Sequence, residues 1–411
     1  MAEPARKSSE SSKQPRSTSF ALVLVIVAQS ITFLSLSFAQ GFLPFYLTQD
    51  LGVSGGESLA LWIGATSAVG PLMVVLWSPL WGVLSDRFGQ KPMMVRALVG
   101  SGVLLALNAL AQDPWQFLLI RTLSGIATGV NAPTIGLISV LVPRERLGRS
   151  LSWAQTGRVI GISIGPVLGG VAGDLFGFRT AFVLAGVIAL GASALLIVFV
   201  PNPQAGERGR QVGGLLDGFR YVGANRQLTL AMTLIYLGQL GDSLVIPFIP
   251  VRIRDLAGDR SNIASLAGLV VSAGAFSTAF GGVLAARWAE RVGYVLPLTL
   301  AAIGGSIGQA AQAFATTPEM LFGLRLAMGL VFGGTLPLLN AIAGVQVPAE
   351  RRGVVFGVTT SANAGSGLTG PLIGSGLITL FDYRAPWIAG AAVLLLTAFL
   401  IRRGVQEPAE H

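Results

Sequence analysis

Gly82-Val83-Leu84-Ser85-Asp86-Arg87-Phe88-Gly89-Gln90-Lys91 returns two hundred residues later as Gly282-Val283-Leu284-Ala285-Ala286-Arg287-Trp288-Ala289-Glu290-Arg291, with the Gly-Val-Leu triplet and one arginine kept. The echo continues in register. Arg121, Gly125, Gly129 and Pro133 recur as Arg325, Gly329, Gly333 and Pro337. Further on, Pro143, Gly148, Gly165-Pro166 and Arg179 recur as Pro348, Gly353, Gly370-Pro371 and Arg384, so the offset drifts only from 200 to 205. A fixed period held over half a chain marks an internal duplication, and its unit decides the fold.

What is duplicated is a set of membrane spans. Of 411 residues 52% are hydrophobic and 11% charged, a balance whose polar surface could not cover a water-soluble body of this size. Apolar stretches of roughly 20 residues, the length needed to cross a bilayer, alternate with short charged connectors. The pattern predicts spans at 20–47, 58–82, 93–111, 115–141, 149–173 and 178–200, and at 227–250, 263–285, 293–313, 319–344, 352–379 and 385–402. The longest break, 201–226, carries Pro201, Pro203, Gly206, Gly209, Gly213 and Gly214 and reads as the hinge between halves. The expected organisation is therefore an N-terminal tail (1–19), a six-helix bundle (20–200), a linker (201–226), a second bundle (227–402) and a short tail (403–411). The fold class is an all-α membrane protein of twelve helices in two pseudo-symmetric bundles. Parallel six-helix repeats of this kind build carriers in which substrate sites lie near the midplane between rocking halves.

The formal charge of +9 and a pI near 10.7 do not point to nucleic acid, because Arg and Lys recur at every second connector rather than in a patch. One face carries Arg6, Lys7, Lys13, Arg16, Arg87, Lys91, Arg144, Arg146, Arg149, Arg208, Arg210, Arg220, Arg226, Arg287, Arg291, Arg351, Arg352, Arg402 and Arg403. The other carries Arg179, Arg252, Arg254, Arg260 and Arg384. That asymmetry predicts cytoplasmic termini in the cell's inner membrane. The apolar run from Phe20 is too long for a signal-peptide core, and Ser37-Phe38-Ala39 only imitates a cleavage site, so it is read as a retained first helix. Cysteine is absent and the one histidine is His411, which removes disulfides, Cys/His zinc sites and Ser-His-Asp triads. Neither a catalytic cluster nor a GxxxxGK[ST] loop is present, so an integral-membrane enzyme and ATP drive are not expected, and no cofactor or metal is implied.

Two motifs add chemistry. Gly82, Asp86, Arg87, Gly89 and Lys91 fall in the connector between helices two and three, where glycines would permit close backbone approach and Asp86 would face a helix N-terminus. On helix five, Gly161, Gly165, Pro166, Gly169 and Gly170 have the small-residue spacing of close helix crossings, with a proline that removes one backbone donor. With Arg121-x-x-x-Gly125 and the Arg254-Asp255-Leu256-Ala257-Gly258 turn after helix seven, the chain resembles the major facilitator superfamily, in its twelve-helix drug:proton antiporter branch. The resemblance covers nearly the whole sequence. It implies that the first loop, through Asp86 and Arg87, latches the halves on the cytoplasmic face and stabilises the outward-open state. Gln90 stands where a second cation is common and Ala286 replaces the acid in the second copy, so any latch there is weaker.

Charges inside hydrocarbon are costly and mark function by default. Arg121, Arg158, Asp242 and Arg325 are the ones read as deep within the spans, and Asp242 is the sole acid. Helical rise puts Asp242 on helix seven and Arg325 on helix ten in the same outer half of the bilayer, where they can pair. Asp242 either carries a coupling proton or only neutralises an arginine; Arg325 and Arg121 are its candidate partners near the transport path, the resemblance placing helices one, four, seven and ten around a cavity. Arg158 either faces that cavity or snorkels to the headgroups. Gln29, Gln40, Asn131, Gln239 and Asn340 are cavity candidates that could equally serve interhelical hydrogen bonds. Tryptophans 62, 77, 81, 115, 153, 288 and 387 read as interfacial anchors rather than a cation cage. The excess of arginine over acid favours neutral, zwitterionic or anionic amphiphiles over lipophilic cations.

The expectation is a proton-coupled carrier that exports small amphiphilic compounds by alternating access. Its partners would be substrate, protons and membrane lipid, with no nucleic acid, and it would act as a monomer. An organic-anion symporter or a lipid flippase of the same fold is the alternative, and a passive channel is the rival from another class.

Overall fold

The computed structural model describes residues 16–202, 215–258, 260–345, 347, 352–405 and 407. The first part of the N-terminal tail, most of the connector before residue 215, and residues 406 and 408–411 of the final tail lie outside the described residues. The rest is helical: α1 (Arg16–Ser37), α2 (Leu43–Gln49), α3 (Glu57–Phe88), α4 (Gln90–Leu107), α5 (Pro114–Ala127), α6 (Asn131–Leu141), α7 (Arg144–Phe176) and α8 (Phe178–Phe199). After α9 (Leu215–Gly223) come α10 (Arg226–Ser243), α11 (Ile249–Ala257), α12 (Ile263–Val292), α13 (Val295–Ala313), α14 (Pro318–Phe332), α15 (Thr335–Val345), α16 (Arg352–Leu380) and α17 (Ala385–Gly404).

These helices make twelve passes, because four of the passes are broken. Pass one is interrupted at Phe38–Gly41 and pass seven at Leu244–Phe248; pass four breaks between Ala127 and Asn131, and pass ten between Phe332 and Thr335. The breaks obey the repeat. Composition explains them: Gly41 closes the break in pass one and Pro44 follows it, Gly129 at φ 143° lies in that of pass four, Pro247 lies in that of pass seven with Pro250 after it, and Gly333-Gly334 make up that of pass ten. Helix starts repeat as well. Asp113 before Pro114 accepts the Trp115 and Gln116 amides, and Thr317 before Pro318 accepts that of Met320.

Several helices run beyond their predicted ends, α3 by six residues past 82 and α12 by seven past 285, because charged last turns extend them out of the apolar zone. The tight turns are single glycines with positive φ: Gly89 (93°), Gly177 (81°) and Gly293 (84°). Two expected turns are therefore corrected. Gly82, Asp86 and Arg87 belong to the closing turns of α3 and Lys91 to the start of α4, so only Gly89 turns; and Arg254–Ala257 is helical, with the turn at Gly258 (φ 61°). The linker also contains a helix, α9, whose Val222 is buried in the second half.

Among the described residues, ten segments are long and apolar enough to cross a membrane on length and composition alone. The passes outside that set are α13 and α16, both of which bury polar side chains: Gln309 and Gln312 on α13, and Thr359, Ser366 and Ser375 on α16. The protein is a multi-pass membrane protein.

Within each half, the chain's own ends mark one end of the bundle. Phe20 packs edge-on to Phe199 at 6.0 Å, and the Gln227 amide donates to the Gly404 carbonyl at 3.1 Å. Near this end the buried hydrophobics form two separate cores. One contains Ala21, Met94, Leu137 and Leu196, the other Leu228, Leu298, Leu339 and Ile401. At the far end a single core joins Phe42, Leu59 and Phe182 of the first half to Phe248, Val270 and Trp387 of the second. The halves are thus sealed at the far end and part toward the end bearing the termini.

The seal lies on two seams, α7 against α12 and α3 against α16. Glycines let the backbones touch. A methyl added at Gly268 would sit 2.8 Å from the Pro166 carbonyl carbon, and one at Gly64 would sit 2.9 Å from the Pro371 carbonyl oxygen. The Val167 amide donates to Ser272 Oγ across the first seam at 3.0 Å. The Tyr383 hydroxyl, at the far end, donates to the Gly56 carbonyl at 3.4 Å; burial, and then the nearby Asp255, raise its pKa against the opposing effect of Arg254, so it stays a donor.

Candidate functional site

The break in pass seven fixes the position of Asp242. It is the second-last residue of α10, about 24 Å of helix from Arg226, and its carboxylate faces α14. Arg325 enters α14 seven residues after Pro318, about 10 Å in from the far end. The two meet: Arg325 Nη1 lies 2.7 Å from Asp242 Oδ1, with the guanidinium 5% and the carboxylate 25% exposed. The same Oδ1 lacks a directed hydrogen bond, so the contact is a charge pair rather than an aligned fork. Room for the arginine comes from Gly274 on α12, where a methyl would fall 2.6 Å from Arg325 Nε. Gly274, Thr278, Met328, Gly329 and Phe332 complete the cleft.

Arg121 occupies the matching position on pass four but stands apart. It is half-buried, its guanidinium lies 5.8 Å from the Phe117 ring centroid, and it joins no ion pair among the described residues. Arg158 packs on the first pass: its guanidinium lies 5.0 Å over Phe33 of α1, and its Nε is buried without an acceptor. Gln239 donates to Asn363 Oδ1 on α16 at 3.0 Å, beside a Tyr236–Thr369 hydroxyl contact of 2.9 Å. Gln29 is buried with an unmatched oxygen, as is the Asn340 oxygen, whereas Gln40 and Asn131 are exposed at the breaks in passes one and four.

The set of intramembrane charges read from the sequence was one short. Arg96 on α4 lies 3.5 Å over the Trp81 ring, with Nε and Nη2 buried and without acceptors. Trp81 in turn donates to the Ile126 carbonyl at 2.8 Å, tying α3 to the last turn of α5 beside the Gly129 break. Arg96 sits only six residues inside α4, which hid it among connector cations. Trp81 is thus a cation platform, and Trp387 is 1% exposed, so neither is an interfacial anchor. Trp115 and Trp153, 70% and 57% exposed, have the exposure of anchors.

The helix-five glycines are a double crossing. Added methyls would meet pass one at Gly161 (3.0 Å from the Leu34 amide), Gly165 (2.6 Å from the Leu34 carbonyl) and Gly169 (2.8 Å from the Phe38 carbonyl carbon). At Gly170 a methyl would meet pass eight, 2.7 Å from the Ala264 carbonyl carbon. Gly82, in contrast, has open space around it, which removes the close backbone approach expected there. Lys91 donates to the Ile197 carbonyl at 2.9 Å, inside its own half, and Arg87 lies 5.5 Å over the neighbouring Phe88. The Asp86 side chain lies outside the described residues.

The profile of the Major Facilitator Superfamily matches residues 25–258 and again 231–411. The chain is 31% identical over 385 residues to "Multidrug resistance protein MdtG" of Klebsiella pneumoniae (strain 342), covering 92% of each. It is 30% identical over 366 residues to the protein of the same name in Dickeya zeae (strain Ech586), covering 88% of this chain and 89% of the relative. In three dimensions it resembles a bacterial homologue of the human lysosomal transporter Spinster in an inward-facing, unoccupied conformation. The TM-score there is 0.75 at 15% identity, over 94% of this chain and 95% of the other.

Proposed function

The chain belongs to the major facilitator superfamily and is a membrane transporter of that type, and from that premise we propose that it exports small amphiphilic compounds in exchange for protons. The observation that carries this reading is the Asp242–Arg325 pair at the break in pass seven. A carboxylate held against one guanidinium is stable while ionised; protonation cancels the attraction and leaves a buried cation to be accommodated by another arrangement. A proton can thereby bias which way the cleft opens.

With the terminus-bearing end taken as cytoplasmic from the arginine asymmetry, the parted cores give an inward-open carrier. Substrate enters between the halves, the seams at the far end open, and protons from outside reset the carrier. The α3–α4 connector, engaged within its own half here, latches the halves in the other state through Asp86 and Arg87. The two six-helix bundles and their linker move as the rocking bodies, and one copy suffices. Four interior arginines, Arg96, Arg121, Arg158 and Arg325, against one acid favour neutral, zwitterionic or anionic amphiphiles. The relatives named for multidrug resistance support export of several compounds rather than uptake of one.

Proteoliposomes with an imposed pH gradient test this. Cationic, neutral and anionic amphiphilic dyes are offered with and without an uncoupler. Antiport moves dye against the proton flow and collapses with the uncoupler; transport with the proton flow would make the carrier a symporter, and flux far above carrier rates without exchange would make it a channel.

A further inference from the structure

Two glutamines of pass nine lie behind the ion pair. Gln309 and Gln312 on α13 are both 0% exposed. The Gln309 amide nitrogen donates to the Gly241 carbonyl at 2.9 Å, one residue before Asp242. The Gln312 nitrogen donates to the Gly308 carbonyl at 3.1 Å and lies 3.0 Å from Met328 Sδ. Because carbonyls can only accept, these contacts fix the nitrogen of each amide and leave its Oε1 turned elsewhere. Both oxygens are buried without a donor, and Arg325 Nε is buried without an acceptor. Arg325 Nη1 already lies 4.0 Å from Met328 Sδ, the sulfur that Gln312 also touches. Unsatisfied buried acceptors separated from an unsatisfied buried donor by one flexible side chain, Met328, call for a reason.

The first half lacks this arrangement. At the offset of 204 that aligns Arg121 with Arg325, Gln309 falls on Leu105, which is part of the shared apolar core, while Gln312 falls on Asn108, a buried amide that likewise bonds the carbonyl four residues back and leaves its oxygen unmatched, but has no acid on pass one to serve. The pair of amides, with Gln309 tethered one residue before the acid, occurs in the half that has the carboxylate.

We propose that Gln309 and Gln312 form the second station of an arginine switch, receiving the Arg325 guanidinium on their amide oxygens when Asp242 takes up a proton. This rests on the reading of Asp242 as the coupling carboxyl. A guanidinium stranded in a buried site would hold the proton off Asp242; neutral amide oxygens relieve it without adding a second titrating group. Gly274 leaves the arm room to turn, and Met328 is the flexible side chain it turns past. The tether from Gln309 to Gly241 passes the movement to the break in pass seven. Within the cleft, Asp242 and Arg325 are the titratable groups among the described residues. Among the described side chains, the other charges on helices packed here sit toward helix ends: Arg226 on α10, Arg252, Arg254 and Asp255 on α11, Arg287, Glu290 and Arg291 on α12, Glu319 on α14, and Arg402 and Arg403 on α17. Tyr236 of α10 is held by Thr369.

Infrared difference titration of the purified transporter in lipid tests the switch without a substrate. The carboxyl band that vanishes in Asp242→Asn reports Asp242. In Gln309→Met and Gln312→Met its half-protonation point moves to lower pH by about one unit, a tenfold higher proton concentration. Gln312→Asn, which keeps the amide but withdraws it, moves it in the same direction by less and serves if a methionine variant does not fold. An unmoved band in the variants overturns the switch while leaving Asp242 as the coupling carboxyl; the absence of any band lost in Asp242→Asn overturns the reading beneath it.

Discussion

Asp174 caps a helix that belongs to the other half of the molecule: its carboxylate accepts the Ser265 amide at 2.7 Å and the Ser265 hydroxyl at 2.6 Å, at the start of α12. It also accepts the Ala264 amide at 3.3 Å, supplying the first turn of α12 with the acceptor that Asn262 does not provide. A negative charge at a helix N-terminus is stabilising by about 1 kcal/mol, up to about 2 when partly buried. Here the charge comes from the opposite bundle, so the same energy holds the far end shut. Asp174→Asn is expected to raise the population open at the far end several-fold. The chain has no cysteine, so an Ile63→Cys probe in the shared core can be labelled without background. An impermeant thiol reagent applied from the far side should label it faster in the Asp174→Asn protein than in its parent.

The two glycine motifs should respond oppositely to a single methyl. At Gly165 the added carbon would lie 2.6 Å from the Leu34 carbonyl, and a backbone cannot yield that distance cheaply, so Gly165→Ala is expected to cost about 1–3 kcal/mol. Gly82 lies within α3 with nothing within 4 Å of the added carbon, so Gly82→Ala should keep or gain up to about 1 kcal/mol. Thermal unfolding in detergent distinguishes the two.

Arg96 and Trp81 should behave as a coupled pair. Removing the ring in Trp81→Leu leaves a buried guanidinium without the aromatic face it rests on and the Ile126 carbonyl without its donor. A desolvated cation–π contact is worth about 2 kcal/mol. Arg96→Met in the same chain removes the stranded charge, so the double variant is expected to be more stable than Trp81→Leu alone.

Much of this was legible beforehand, and the rest was hidden for physical reasons. The duplication exposes both the twelve-pass architecture and the Arg121/Arg325 correspondence, because glycine, proline and arginine are the residues least free to drift where backbones touch or charges are buried. Helical rise places Asp242 and Arg325 at one depth, where the structure brings them together. The breaks in passes one, four, seven and ten were not read, since hydropathy averages across a two- or three-residue interruption. Arg96 was missed because six residues from a helix end is ordinary for a connector cation. Gln309 and Gln312 were missed because a glutamine in an alanine- and glycine-rich helix carries no periodic signal; only the packing of α13 against α14 shows that they back onto the ion pair.

The central claim is that protonation of Asp242 couples proton flow to substrate movement, and proteoliposomes containing Asp242→Asn test it most directly. The substitution keeps the shape of the side chain and removes its charge, so substrate exchange at equal pH on both sides is expected to persist while accumulation driven by a pH gradient is lost, by about tenfold or more. Full gradient-driven counterflow in the Asp242→Asn protein would contradict it.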